Sequence, residues 1–203
     1  MRRGMNAGRM CFLMNSRDYD TILRRSPVRG GLAAAVFTAV VASAGMALAA
    51  PAEDLKEAQK LYAGGKIQPA MDKVDALLKT TPRDPQARFL KGVLLTEQKK
   101  TAEAIEVFTG LTQEYPELPE PYNNLAVLYA SQGEYEKARS ALELAIRTHP
   151  NYATAHENLG DVYAQLAGRS YDRALQLDKG NAAAQAKLAT VKDLLSKPKS
   201  ARP

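Results

Sequence analysis

Residues Pro119 to Tyr152 read PEPYNNLAVLYASQGEYEKARSALELAIRTHPNY, and the sequence on either side repeats the same pattern every 34 residues. A period of this length constrains the fold more than any other property of the chain. Each unit must be one supersecondary element that hides its apolar face against its neighbours. Within the stretch Tyr122, Leu125, Ala126 and Tyr129 stack on one face of a first helix. Gly133 ends that helix, since glycine enters the left-handed conformation of a helix terminus without steric cost. A second helix follows with Ala138, Leu142 and Ala145 inward, and Pro150 stops it. Small Ala126 and Ala138 let the two axes approach closely, so the pair is expected to be an antiparallel hairpin.

One period earlier, residues 85–118 place Gly92, Leu95, Ala104, Phe108, Leu111 and Pro116 in the equivalent positions. Residues 51–84 place Ala58, Leu61, Gly65, Ala70, Val74, Leu77 and Pro82 there. One period later, His156, Leu159, Gly160 and Tyr163 continue the first-helix pattern. These residues resemble the tetratricopeptide-repeat family over residues 51 to about 181. The resemblance implies an all-α fold, a right-handed α-solenoid of about three and a half helix-turn-helix repeats followed by a C-terminal capping helix.

Departures from the pattern carry their own expectations. Lys91 stands where a leucine is usual and Lys99 replaces the turn glycine, so the first helix of 85–118 is expected to pack less tightly or to run longer. Asp54 and Glu57 give the first repeat a polar outer face, as a terminal cap requires. In the shortened fourth repeat, 153–181, Tyr171, Ala174 and Lys179 arrive five residues early and the alanine that opens a second helix is absent. Deletion of the turn predicts one long helix from about Ala155 to Leu177, with Leu159, Tyr163, Leu166, Ala167, Tyr171, Ala174 and Leu175 as its apolar stripe. A capping helix over 182–195 is then expected to lie back on it, ahead of a disordered tail at 197–203.

The first 49 residues obey different rules. Arg24, Arg25 and Arg29 precede an apolar run from Gly31 to Ala50, and Ala47-Leu48-Ala49 supplies a small-x-small cleavage site. This pattern predicts a signal peptide over 1–49 cleaved after Ala49, and therefore an exported, periplasmic protein. Met5, Met10 and Met14 offer alternative starts within an unusually long leader. Left uncleaved, the same run has about the ~20 residues needed to cross a bilayer and would anchor the chain in the inner membrane. Of the 28 basic and 22 acidic residues, seven Arg and two Asp belong to the leader, leaving 21 and 20. The basic balance is the leader's, and nucleic acid is not an expected partner. The single cysteine, Cys11, also lies in the leader, which removes thiol chemistry, disulfides and lipid attachment from the remainder.

No catalytic residues, cofactor or metal site are expected. The two histidines are a loop residue, His149, and His156 at a position that faces the neighbouring helix as a packed imidazole. No nucleophile elbow or phosphate loop is present in the sequence.

Binding is left to surface, and the resemblance implies that first helices line a concave face for protein partners, with no small-molecule substrate. Positions two, five, nine, twelve and thirteen of each repeat share that face. They grade from Leu55, Tyr62, Phe89 and Val93 through Asn123 and Val127 to Glu157 and Asp161, apolar to acidic. A fitting ligand is a peptide segment of an envelope protein with apolar anchors and a basic end. Asn124 and Asn158 occupy position six, where some members of the family hold an extended peptide backbone; asparagine is also common there for general packing reasons, and that is the simpler reading. The carboxylate clamp of chaperone-binding members is not expected, because Phe89, Val93 and Thr154 stand where its basic and amide residues would be. Oligomeric state is not legible.

Overall fold

A computed structural model describes residues 50–196, which fold into eight helices with no strand among them. The predicted leader and tail lie outside the described residues. The helices are α1 (Ala50–Ala63), α2 (Ile67–Thr80), α3 (Pro85–Glu97), α4 (Thr101–Glu114), α5 (Pro119–Ser131), α6 (Tyr135–Thr148), α7 (Ala153–Leu177) and α8 (Ala182–Ser196). They divide between Tyr115 and Pro116 into two compact units, α1–α4 and α5–α8.

In the first unit α1 packs on α2, α2 on α3 and α3 on α4. The reason is the apolar spacing: Ala70, Val74 and Leu77 of α2 and Ala104, Phe108 and Leu111 of α4 recur every three to four residues and are all buried. Asp84 starts α3 by accepting a hydrogen bond at Oδ1 from the Ala87 N–H at 2.7 Å, and Pro85 follows at the first helical position, where its missing N–H costs nothing. Gly92 lies under the Phe108 ring; a Cβ there would stand 2.7 Å from two ring carbons. This close approach is why glycine occupies the crossing.

The turns explain a departure from expectation. After α1, α3 and α5 the chain closes with the same pair of backbone bonds, for instance Lys66 N–H to Leu61 O and Glu134 N–H to Tyr129 O, both 2.9 Å. The residue at the apex has φ of 73° at Gly65 and 76° at Gly133, and 62° at Lys99. Helix α3 therefore does not run on: it has 13 residues, as α5 has, and Lys99 is held in the left-handed conformation by the hairpin around it. Lys91 does not loosen the helix either, because its stem is half-buried and its Nζ reaches Asp75 Oδ1 of α2 at 2.8 Å. Asp54 and Glu57 are likewise not purely a solvated cap, since Lys73 of α2 lies 2.7 Å from Glu57 Oε2 and 3.9 Å from Asp54 Oδ1.

In the second unit α5 and α6 form the hairpin, with Ala126, Ala138, Leu142 and Ala145 buried. Helix α7 packs on both of them through Ala155, Asn158 and Val162. It is a single helix of 25 residues, twelve longer than α3 and α5. Its extension is tied down by Arg169, whose Nη2 donates to Gly133 O at 2.8 Å and whose guanidinium lies 4.3 Å from the Tyr135 ring centroid.

Helix α8 lies antiparallel on the far half of α7. Gly168 faces Val191, the Lys187 ammonium is 5.8 Å from the Tyr171 ring centroid, and Lys192 pairs with Asp172 at 3.7 Å. Ala184 and Leu188 are its buried residues, with Val191 half-buried. Their spacing is that of Ala104, Phe108 and Leu111, displaced by the same twelve residues that lengthen α7. The single long helix expected from about Ala155 to Leu177 thus runs Ala153–Leu177, and α8 carries the second-helix pattern itself, so that the first helix has been extended rather than the turn deleted. The expected stripe is also only partly covered, Tyr163 being 48% exposed.

Candidate functional site

The first-helix faces of the two units place the predicted binding residues differently. In the first unit Leu55, Phe89 and Val93 are buried, at 6%, 4% and 5% exposure. Phe89 meets Phe108 edge to face, with centroids 5.5 Å apart. The sequence puts these side chains on the accessible apolar end of the face; packing of α3 on α4 and of α1 on its neighbours takes them inside instead. Tyr62 is half-buried, and this burial, followed by the negative charge of Glu97, pushes its hydroxyl pKa above the ordinary tyrosine value. Gln59, Gln86 and Thr96 are half-exposed on the same face and Glu97 is exposed, so its surface is polar.

In the second unit the asparagines are brought together. Asn158 Nδ2 donates to Asn123 Oδ1 at 2.8 Å, joining α7 to α5, and both residues are buried. Asn124 is half-buried and its Nδ2 donates to Glu120 O at 2.9 Å, within its own helix. The two position-six amides thus have partners inside the chain, which is the packing role that the sequence offered beside the backbone ladder. Val127 and Asp161 are half-exposed and Glu157 is exposed on the adjoining turns. Glu120, not among the predicted site residues, is 5% exposed in the first turn of α5, where the helix dipole favours an anion. Its place at position two of the repeat was the available signal.

His149 lies in the loop after α6 as expected, but His156 is not a packed imidazole. His156 is exposed and its Nε2 lies 2.8 Å from the Pro150 carbonyl oxygen, while His149 is half-buried. No group of three metal-ligating side chains occurs among the described residues. None of the described helices is long and apolar enough to cross a membrane.

Two family models described as tetratricopeptide repeat match residues 55–119 and 95–159, together more than half of the chain. The chain belongs to the tetratricopeptide-repeat family. Its repeats are 31% identical over 96 residues to the chloroplastic tetratricopeptide repeat domain-containing protein PYG7 of Arabidopsis thaliana, covering 45% of this chain and 31% of that protein. The chain spans about a third or less of the length of the curated relatives it matches. Among solved structures, the tetratricopeptide-repeat protein TTC0263 of Thermus thermophilus superposes with a TM-score of 0.56 at 25% identity, covering 72% of this chain and 83% of that one. The first tetratricopeptide-repeat domain of Spaghetti (RPAP3), solved with the HSP90 peptide SRMEEVD, gives a TM-score of 0.54 at 18% identity and covers 58% and 93%. The family and fold are those of an all-α repeat scaffold.

Proposed function

We propose that this tetratricopeptide-repeat protein is an exported scaffold that binds segments of other envelope proteins through the first-helix face of its second unit. The observation that carries the reading is the buried Asn123–Asn158 bond. It locks α5 to α7 and so fixes Val127, Glu157 and Asp161 on one rigid, partly apolar and acidic surface before any ligand arrives. A segment with an apolar anchor over Val127 and a basic residue toward Asp161 and Glu157 matches it. The peptide complex of the RPAP3 domain supports a protein partner as the ligand class. A clamp for a terminal carboxylate is no part of this reading, since Phe89 and Val93 are buried apolar residues where the clamp needs cations and amides.

Export rests on the leader: Arg24, Arg25 and Arg29, the apolar run to Ala50 and the Ala47-Leu48-Ala49 site. The exported protein then begins at Ala50. The same run supports a second reading, an inner-membrane anchor presenting the same repeats. Intact mass decides between them, with alkaline washing of membranes as the companion measurement. For binding, a crosslinked pull-down from envelope extract compares the wild type with Val127→Arg/Asp161→Arg, its fold verified by circular dichroism. Loss of a specific partner supports the face; the same partners in both sinks it.

A further inference from the structure

Gly92 and Gly160 occupy the same place, eight residues into their repeats, yet their surroundings are opposite. Above Gly92 lies the Phe108 ring of the second helix; above Gly160 there is nothing within 4 Å among the described residues. The cause is the twelve-residue extension of α7. The hairpin with α8 is made by the far half of the helix, about 18 Å further along the axis, and the near half keeps a packing face with no second helix on it. His156 and Gly160 are exposed, Leu159 is half-buried and Tyr163 is 48% exposed. Their counterparts Leu125 and Leu95 are 6% and 3% exposed in complete repeats.

We propose that this open face of α7, formed by His156, Leu159, Gly160 and Tyr163, is a docking site for an amphipathic helix of another protein, which completes the fourth repeat. The register of the chain specifies the helix. Over the equivalent face of α5 lies Lys137-Ala138 with Leu142 and Ala145, and over that of α3 lie Ala104, Phe108 and Leu111. A small residue at the crossing permits close approach, a large apolar residue four positions later fills the space over the glycine, and a smaller one follows three further on. The charge is specified too. Tyr129 stands where Tyr163 does and carries the Lys137 ammonium 5.5 Å from its ring centroid, while the rings of Tyr135 and Tyr171 have Arg169 and Lys187 over them. Among the described residues no cation covers Tyr163. The partner helix therefore carries Lys or Arg immediately before its small residue. This site is separate from the asparagine-linked surface and does not depend on it.

The probe is a labelled peptide with the sequence of Thr101–Glu114 carrying Glu103→Lys, since the Phe108 ring of that helix needs a glycine beneath it, held helical by a staple on its outward face and titrated into the full chain by fluorescence anisotropy. Saturable binding is expected, weakened roughly tenfold or more by Gly160→Ala in the protein or by reversing the peptide's lysine. The same Gly160→Ala change raises the melting temperature of the free protein, because nothing crowds the new methyl and alanine is the better helix former. Val127→Arg leaves peptide binding unchanged, which separates this site from the proposed binding surface. Absence of binding, or equal binding by Gly160→Ala, overturns the proposal. So does sedimentation showing that the wild type self-associates through this face and that Gly160→Ala abolishes it, since a second copy is then the occupant.

Discussion

Asn158 of α7 and Asn123 of α5, 35 residues apart in the chain, share a buried hydrogen bond of 2.8 Å. Side-chain amides enter a helix interface at the cost of desolvation, and the bond offsets it only while both partners are present. Replacing Asn158 with Ala leaves the Asn123 carbonyl without this donor. A loss of about 1–3 kcal/mol is expected from urea unfolding, and a double-mutant cycle with Asn123→Ala returns a coupling free energy clearly above zero. Additive single changes would contradict the pairing.

The Gly92–Phe108 crossing predicts a second effect. Alanine normally stabilises a helix relative to glycine, but here its methyl would stand 2.7 Å from an aromatic ring that is completely buried. Gly92→Ala is expected to destabilise by about 1–3 kcal/mol. Gly168→Ala, whose methyl would sit 3.5 Å from Val191, is expected to stabilise by roughly 1 kcal/mol. Calorimetry of the two variants checks the opposite signs.

The left-handed Lys99 gives a third. Lys99→Gly relieves an unfavourable backbone conformation and is expected to raise stability by about 0.5–1 kcal/mol. Gly133→Ala, at φ 76° and with Arg169 Nη2 3.1 Å from the new methyl, is expected to lower it by at least as much. Denaturant midpoints read both directly.

Tyr62 gives the fourth, in alkaline solution. Its folded pKa lies above the unfolded value near 10.0 because burial, and then Glu97, disfavour the phenolate. The folded state therefore holds the proton more tightly. Its contribution to stability is complete below the unfolded pKa and is lost as pH rises through the folded one. Tyrosinate absorbance should show a late-titrating group that disappears in Tyr62→Phe and shifts down in Glu97→Gln. No change in Glu97→Gln would remove the electrostatic part of this account.

The fold was legible because the 34-residue spacing of small and large apolar residues dictates which helix faces meet, and proline placed the starts of α3 and α5 at Pro85 and Pro119. Lys99 was illegible because tertiary closure of the hairpin, not side-chain preference, sets its φ. A helix over 182–195 was legible, but its second-helix character hid behind a fixed offset: Ala184, Leu188 and Val191 fit that pattern only once α7 is allowed twelve more residues. That displacement also uncovered His156, which a regular repeat would have packed. At the candidate surface, helix position alone does not tell which side chains their neighbours bury. Leu55, Phe89 and Val93 are buried, Phe89 against Phe108 of α4, whereas Val127, Glu157 and Asp161 keep contact with solvent.

The most direct test of the central claim is site-specific photocrosslinking in intact cells, with a benzophenone side chain placed at Val127, at Asp161 or at Glu143 on the exposed side of α6. The account predicts discrete protein adducts from Val127 and Asp161 and none from Glu143. Adducts from Glu143 with none from Val127 or Asp161 would contradict it and move the binding surface to the second helices.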